Sequence, residues 1–431
     1  MRWIAKTLFA VTILGSLTSV TIANAAPKPT PFYLKAGDRV VFYGDSITDQ
    51  RLYTTYIESY CVSRFPAGHF TFVHSGWGGD RVTGGGGGPV DTRLKRDVLA
   101  YHPTVVTICL GMNDGSYRGF DQGIFDTYVK GYRHILDTLI KELPGVRITL
   151  LTASAFDDVT RAPGFPGGYN ATLVAYGEAV KSLGREYGLT VADTNGPLVG
   201  ALARALSKDP SFASKVIPDR VHPGPGGHLV MASAVLKAWN APTNVAKISL
   251  TASGKVTEAS NTKVSQVMVK GDGIAFTAND FALPWPLDRS LQRNPDTAFV
   301  LGVTDIEQTL NAYTLKVSGL KAAKYKILVD GTEAAIVDRE SLEAGLDLAG
   351  LDNLASSLQS QKLLSAIRKH NDIHFNRWRQ VQITRGNDGL NPDATTLEKI
   401  NLLDADEAKA LSDESAIVAP TAHRYEVVPA G

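Results

Sequence analysis

Four short groups of residues in this chain carry the atoms that acyl transfer requires. Ser46 stands in Gly44-Asp45-Ser46-Ile47-Thr48, Gly79 in Gly79-Asp80, Asn113 in Gly111-Met112-Asn113-Asp114, and His222 in Asp219-Arg220-Val221-His222. A serine hydroxyl becomes a useful nucleophile when a base beside it takes its proton. His222 can be that base, and Asp219, three residues earlier in a loop flanked by Pro218 and Pro223, can hold one imidazole nitrogen while the other faces Ser46. The developing oxyanion needs donors. The Ser46 N–H, the Gly79 N–H and the Asn113 side-chain amide are the candidates. Gly44, Asp45, Asp80 and Gly111 support them, with Gly44 allowing a tight turn before the serine. Each residue alone has an ordinary reading: Ser46 as a helix N-cap, Asp219 as a turn cap, His222 as a packed loop histidine, Asn113 and Gly79 as turn residues. Their occurrence together, in this order, favours the chemical reading.

The elements that must position them follow from periodicity. Continuous apolar runs at Val40–Tyr43, Phe70–Val73, Thr104–Leu110, Arg147–Leu151 and Leu189–Ala192 fit parallel strands covered on both faces. Helical stripes lie between them, at 125–139 (Phe125, Tyr128, Tyr132, Ile135, Leu139), at 174–183 and near 227–239. Strand–helix alternation over 36–242 predicts an α/β unit with a doubly wound, flavodoxin-like, mostly parallel sheet. Ser46 and Asn113 then sit just past strand ends, where such sheets carry their sites. Its proximity to the N-terminus of a helix would favour negative charge at Ser46. From 243 the pattern changes. Short β-like runs and the turn signal Asp330-Gly331 predict an antiparallel β segment over 243–338, and 339–431 reads as a helical region packing on the rest, its last 50 residues weakly patterned.

Length and composition bound the alternatives. The chain has 431 residues, 44% hydrophobic and 20% charged, with a formal charge of +1. It can bury a large core and needs more than one domain. The absence of a basic block argues against nucleic acid as a partner. Residues 1–25 read as an export signal: Arg2 and Lys6, then a short apolar stretch, then Ala23-Asn24-Ala25 as the cleavage site. A Pro-rich linker is expected over 26–35. The expected location is periplasmic or extracellular, without stable membrane insertion.

Other features carry less chemistry. Gly84–Gly88 reads as a floppy surface loop. His370 and His374, four apart on a helix beside Arg368, Lys369 and Arg377, read as a solvated face and not a metal site. Cys61 and Cys109 read as packed free thiols, and Trp285 as a packing residue. Trp77, beside Gly78-Gly79, is a candidate contact for a sugar ring.

Taken together, residues 36–240 resemble the GDSL-type, or SGNH, hydrolases: Gly44-Asp45-Ser46, Gly79-Asp80, Gly111-x-Asn113-Asp114 and Asp219-x-x-His222 match that family's blocks in order. His74 departs from the Asn that many relatives have at the start of the second block. The resemblance implies Ser46 as nucleophile, His222 as base, Asp219 as its orienting carboxylate, and Ser46, Gly79 and Asn113 as the oxyanion hole, with no cofactor or metal. It implies a serine esterase acting on an acylated small molecule or polysaccharide, with short-chain acyl (O-acetyl) esters of carbohydrates as the expected substrates. A lipase, lysophospholipase or thioesterase remains open, as does a carbohydrate- or cell-wall-binding protein with a vestigial hydrolase unit.

Overall fold

The computed structural model describes residues 31–290, 292–383 and 388–430; the expected leader and the first part of the expected linker lie outside them. In the first half the main elements are β1 (Arg39–Gly44), α1 (Ser46–Asp49), α2 (Leu52–Arg64), β2 (Thr71–Gly76), α3 (Val90–Asp97), β3 (Val105–Cys109), α4 (Gln122–Glu142), β4 (Arg147–Leu151), α5 (Gly168–Tyr187), β5 (Thr190–Ala192), α6 (Asn195–Lys208) and α7 (Pro225–Ala238). The five strands pair in parallel in the order β2-β1-β3-β4-β5, the flavodoxin-like order. Helices cover both faces, so β3 is buried along its whole length and β1 from Val40 onward. In β1, Val40 and Phe42 enter one core, while Val41 and Tyr43 enter the other. That two-sided burial is why the strands read as unbroken apolar runs.

The register brings the strand ends level. Gly44 pairs with Gly76 of β2 and with Cys109 of β3. The segments that follow therefore carry Ser46, Gly79 and Asn113 out at one edge of the sheet. The chain reverses its direction of travel across the sheet between β1 and β3, and at such a point the flanking loops separate into a crevice.

The second half is interleaved. It contains β6 (Asn244–Thr251), β7 (Val256–Ser260), β8 (Thr262–Lys270), β9 (Gly273–Asp280), α8 (Pro295–Leu301), β10 (Ala312–Ser318), β11 (Lys324–Val329), β12 (Thr332–Asp338), β13 (Leu346–Asp347), α9 (Ala355–Phe375), α10 (Ala394–Val418) and β14 (Ala422–Pro429). One antiparallel sheet runs β8-β9-β14-β11-β12, and a second runs β13-β10-β6-β7. They share a core that includes Ile248, Phe276, Leu315, Ile327 and Val427, so the two sheets form a sandwich. The turn at Asp330-Gly331 joins β11 to β12 as expected.

Two expectations for this half need correction. The β segment is not wholly antiparallel, because β6 and β10 pair in parallel, with a long crossover between them. Nor is the region from 339 onward helical throughout. Strand β14, from the weakly patterned end, lies between β9 and β11, with Tyr425 and Val427 fully buried. The helices before it dock on the first half. Leu363 and Ile367 of α9 and Val418 of α10 pack with Leu283 and Val62.

Two loop readings change as well. Phe32 stacks on Phe65 at 4.6 Å and Tyr33 on Trp239 at 5.5 Å, so from Phe32 onward the expected linker is docked. The five glycines are not a floppy loop. Gly84–Gly85 and Gly88–Pro89 pair as a minimal hairpin. The Gly87 N–H donates to Asp80 Oδ1 at 3.1 Å, and Arg96 donates to Gly87 O at 3.0 Å. Side chains are excluded there by crowding, since a Cβ on Gly86 would lie 2.5 Å from Gly78 O. Cys61 and Cys109 are buried free thiols, and Trp285 is buried, donating to Tyr56 O at 3.0 Å.

Candidate active site

The turn carrying Ser46 is forced by its neighbours. A Cβ on Gly44 would lie 2.2 Å from Thr48 Oγ1 and 2.7 Å from Cys109 O, so only glycine fits at the end of β1. Asp45 is extended and caps α1, its Oδ1 accepting from the Ile47 N–H at 3.0 Å. The cap is therefore Asp45 and not Ser46, which frees the serine hydroxyl. Helix α1 is a single turn, broken at Arg51 with φ +56°, so the expected dipole contribution is small. What remains is the Ser46 N–H, which as a first-turn group has no intrahelical acceptor. Burial pushes the Asp45 carboxyl up to about 8, against the Ile47 N–H and with Asp114 and Asp80 adding to the rise.

The base arrives from the loop before α7. Ser46 Oγ lies 2.8 Å from His222 Nε2, and His222 Nδ1 lies 2.6 Å from Asp219 Oδ2. A carboxylate only accepts, so Nδ1 carries the proton and Nε2 is free to take the one on Ser46. The other Asp219 oxygen accepts from the backbone N–H of His222 at 2.7 Å and of Val221 at 3.0 Å. Partial burial tends to raise the Asp219 carboxyl, but the His222 backbone and ring and the Val221 N–H outweigh it and hold the group below its usual range. Its side chain is 56% exposed, so water reaches this end of the relay. Between the two, Arg220 adopts φ +74° and is pinned by Asp158 Oδ1 at 2.9 Å and by the carbonyls of Ala162 and Asp157. The pinned guanidinium fixes the turn that aims both side chains.

Across the crevice, Asn113 is buried. Its Nδ2 donates to Asp80 O at 3.0 Å and its Oδ1 accepts from Tyr117 at 2.9 Å, which leaves one amide N–H to donate elsewhere. Gly79 has φ +78° and its N–H makes no hydrogen bond among the described residues. Beneath them Asp80 accepts from Arg93 Nε at 2.5 Å and Asp114 from the Val82 N–H at 3.0 Å. Burial raises the Asp80 carboxyl, with Arg93 opposing, and raises Asp114 to about 7. Gly111, at φ +136°, allows β3 to turn into this segment. Sequence reasoning did not find Tyr117, Arg220 or Asp49, which acts on Gly78. Arg220 alone had a signal, as the residue between Asp219 and His222.

Two candidates are placed differently from expectation. Trp77 is half-buried, and the face a sugar ring would stack on is taken by the Arg379 guanidinium, 3.3 Å from the ring centroid, with Trp378 edge-on at 5.7 Å. His370 and His374 do not face solvent. Helix α9 turns them toward α2 and α10, and both are buried. His370 Nδ1 lies 3.2 Å from Glu414 and its Nε2 3.7 Å from Glu58, while His374 Nδ1 lies 3.3 Å from Glu407. Ligand atoms of Glu58, His370 and Glu414 fall within 4.8 Å of one another. The imidazole turns one nitrogen to each carboxylate, however, which is how an imidazolium sits between anions. Burial works to lower His370, and Glu58 and Glu414 overcome it, pushing it up to about 9.

A flavodoxin-like sheet with serine, histidine and carboxylate linked across its strand ends defines the class: this chain is a carboxylic ester hydrolase. Residues 42–230, within the α/β unit, match the model of the GDSL-like lipase/acylhydrolase family. Over 222 residues the chain is 26% identical to an acetylxylan esterase of Geobacillus stearothermophilus, covering 47% of this chain and 94% of that one. A solved gut microbial diltiazem-metabolizing enzyme is 25% identical, with a TM-score of 0.80 over 92% of this chain and 98% of that one. That similarity therefore extends through the sandwich and the C-terminal helices.

Proposed function

We propose that this chain is an exported serine esterase that removes short acyl groups, chiefly O-acetyl, from carbohydrate esters. The observation that carries the reading is the relay Ser46–His222–Asp219, at 2.8 and 2.6 Å. Ser46 Oγ attacks the ester carbonyl as its proton passes to His222 Nε2. The oxyanion is met by the N–H groups of Ser46 and Gly79 and by the free amide N–H of Asn113. His222 then gives the proton to the departing alcohol. Water, deprotonated by His222, hydrolyses the acyl-Ser46 intermediate, and Asp219 keeps the imidazole in its working tautomer throughout. No step needs a metal or cofactor.

The acyl and carbohydrate preference is supported by the acetylxylan esterase among the relatives. Export is supported by Arg2, Lys6 and the Ala23-Asn24-Ala25 site, and among the described residues no helix is long and apolar enough to cross a membrane. Purified protein should hydrolyse 4-nitrophenyl acetate, and Ser46→Ala should abolish turnover; turnover surviving that change rules out Ser46 as nucleophile. A series from acetate to palmitate should peak at the short end, followed by release of acetate from acetylated xylo-oligosaccharides. A maximum at long chains would instead point to a lipase.

A further inference from the structure

The segment that presents Gly79 is held from the second half of the chain. Helix α9 continues into a π-helical turn, Asn376–Gln382, and Arg379 projects from it. The Arg379 guanidinium lies 3.3 Å from the Trp77 ring centroid. Its Nη1 donates to Gly76 O at 3.4 Å, and its Nη2 lies 3.3 Å from Asp49 Oδ2. That same Asp49 oxygen accepts the Gly78 N–H at 3.1 Å. One side chain thus reaches the carbonyl of residue 76, the ring of residue 77 and, through Asp49, the amide of residue 78. Asp49 is also the last residue of α1, whose first is Ser46. The turn is anchored by Trp378, whose Nε1 donates to buried Asp97 at 2.6 Å, and the helix leading into it by Arg51, which donates to Asn371 O at 3.1 Å.

We infer that Arg379 is a positioning residue for the oxyanion hole: it fixes the Gly78–Gly79 peptide relative to Ser46, so that the C-terminal helices take part in turnover without touching substrate. This rests on the esterase reading above. Glycines 78 and 79 are the central residues of a turn closed by the Asp80 N–H to Trp77 O at 3.2 Å, but inside that turn the Gly79 N–H has no acceptor among the described residues and glycine backbone is permissive. An oxyanion donor must be held to within about 0.5 Å, so loosening it acts on the chemical step more than on substrate capture.

The test compares wild type with Arg379→Ala, Arg379→Met and Arg379→Lys. Hydrogen exchange over residues 74–82, kcat and KM on 4-nitrophenyl acetate, and thermal melts are measured on each. Arg379→Ala should speed exchange in that peptide and lower kcat by about 10- to 100-fold, with KM within about 3-fold. Arg379→Lys should recover part of the loss by reaching Asp49. If the alanine variant does not fold, Arg379→Met keeps an unbranched apolar side chain beside Trp77 while removing the guanidinium's polar contacts and its place over the ring; it should show the same split. Unchanged exchange, or faster exchange with wild-type kcat, overturns the inference. So does a loss confined to KM. Failure of the esterase reading is seen separately, as inactive wild type or active Ser46→Ala. It overturns the catalytic part, while the exchange arm still decides whether the brace exists.

Discussion

Replacing Asp219 by asparagine isolates the imidazole tautomer from the fold of the loop. The oxygen of the introduced amide can keep the two bonds from the His222 and Val221 N–H groups, now 2.7 and 3.0 Å long. The NH2 of that amide would then face His222 Nδ1, where an acceptor stood at 2.6 Å. Two donors cannot face each other, so the ring proton moves to Nε2 and Ser46 loses its base. In serine proteases this exchange costs about 10⁴-fold in kcat. Here the carboxylate is 56% exposed, and water can accept from Nδ1 in part of the population. That lowers the expected loss to about 10³-fold, or about 4 kcal/mol of barrier at about 1.36 per decade. Asp219→Ala admits water to Nδ1 without adding a donor, so it should lose less kcat than the asparagine variant but melt at a lower temperature, having lost the turn bonds. Steady-state kinetics on 4-nitrophenyl acetate with parallel melts measure both. An asparagine variant within about 10-fold of wild type, or an alanine variant slower than it at equal stability, would refute the tautomer argument.

Asn113→Ala should cut kcat by about 100- to 1000-fold with little change in KM, and should lower Tm because it strands the Asp80 carbonyl and the Tyr117 hydroxyl; full activity would remove Asn113 from the oxyanion hole. Asp45, pushed up from 3.8 to about 8 by burial, holds its proton in the folded state after the unfolded chain has released it. Its contribution is therefore full below about pH 4 and lost as pH rises through about 8. Asp45→Asn keeps the cap and should flatten that fall in a pH series of melts; parallel curves would refute it. His370, raised from 6.5 to about 9 by Glu58 and Glu414, contributes stability that is complete below pH 6.5 and lost as pH rises through about 9. His370→Gln should melt lower than wild type at about pH 6 and converge with it near about pH 10.

What could be read in the sequence is what depends on neighbours in the chain. The five parallel strands were legible because two-sided burial writes unbroken apolar runs such as Val40–Tyr43. The four reactive groups were legible because each lies within a few residues of a strand end or of its own turn. The rest depends on distant partners. His370 and His374 looked solvated beside three cations, and only docking of α9 against Glu58, Glu414 and Glu407 buries them. The glycine run looked loose because Asp80 and Arg96, which hold it, are not adjacent to it. Trp77 looked available because Arg379, which covers it, lies in the other half of the chain. Strand β14 did leave a signal, the alternation of Tyr425 and Val427, but one short pattern does not reveal that its slot is central.

That slot has a consequence for how the molecule comes into being. Strands β9 and β11 leave the ribosome well before their shared partner, and until β14 inserts, each shows an open edge to other nascent chains. The parallel sheet of the first half depends on no strand from the second and can assemble early. The sandwich must wait, and the helices that bear Arg379 wait with it, being threaded between its strands. Exposure to aggregation or proteases during synthesis should therefore concentrate in residues 243–421, and substitutions in Tyr425 or Val427 should reduce yield before they alter the chemistry of the finished protein.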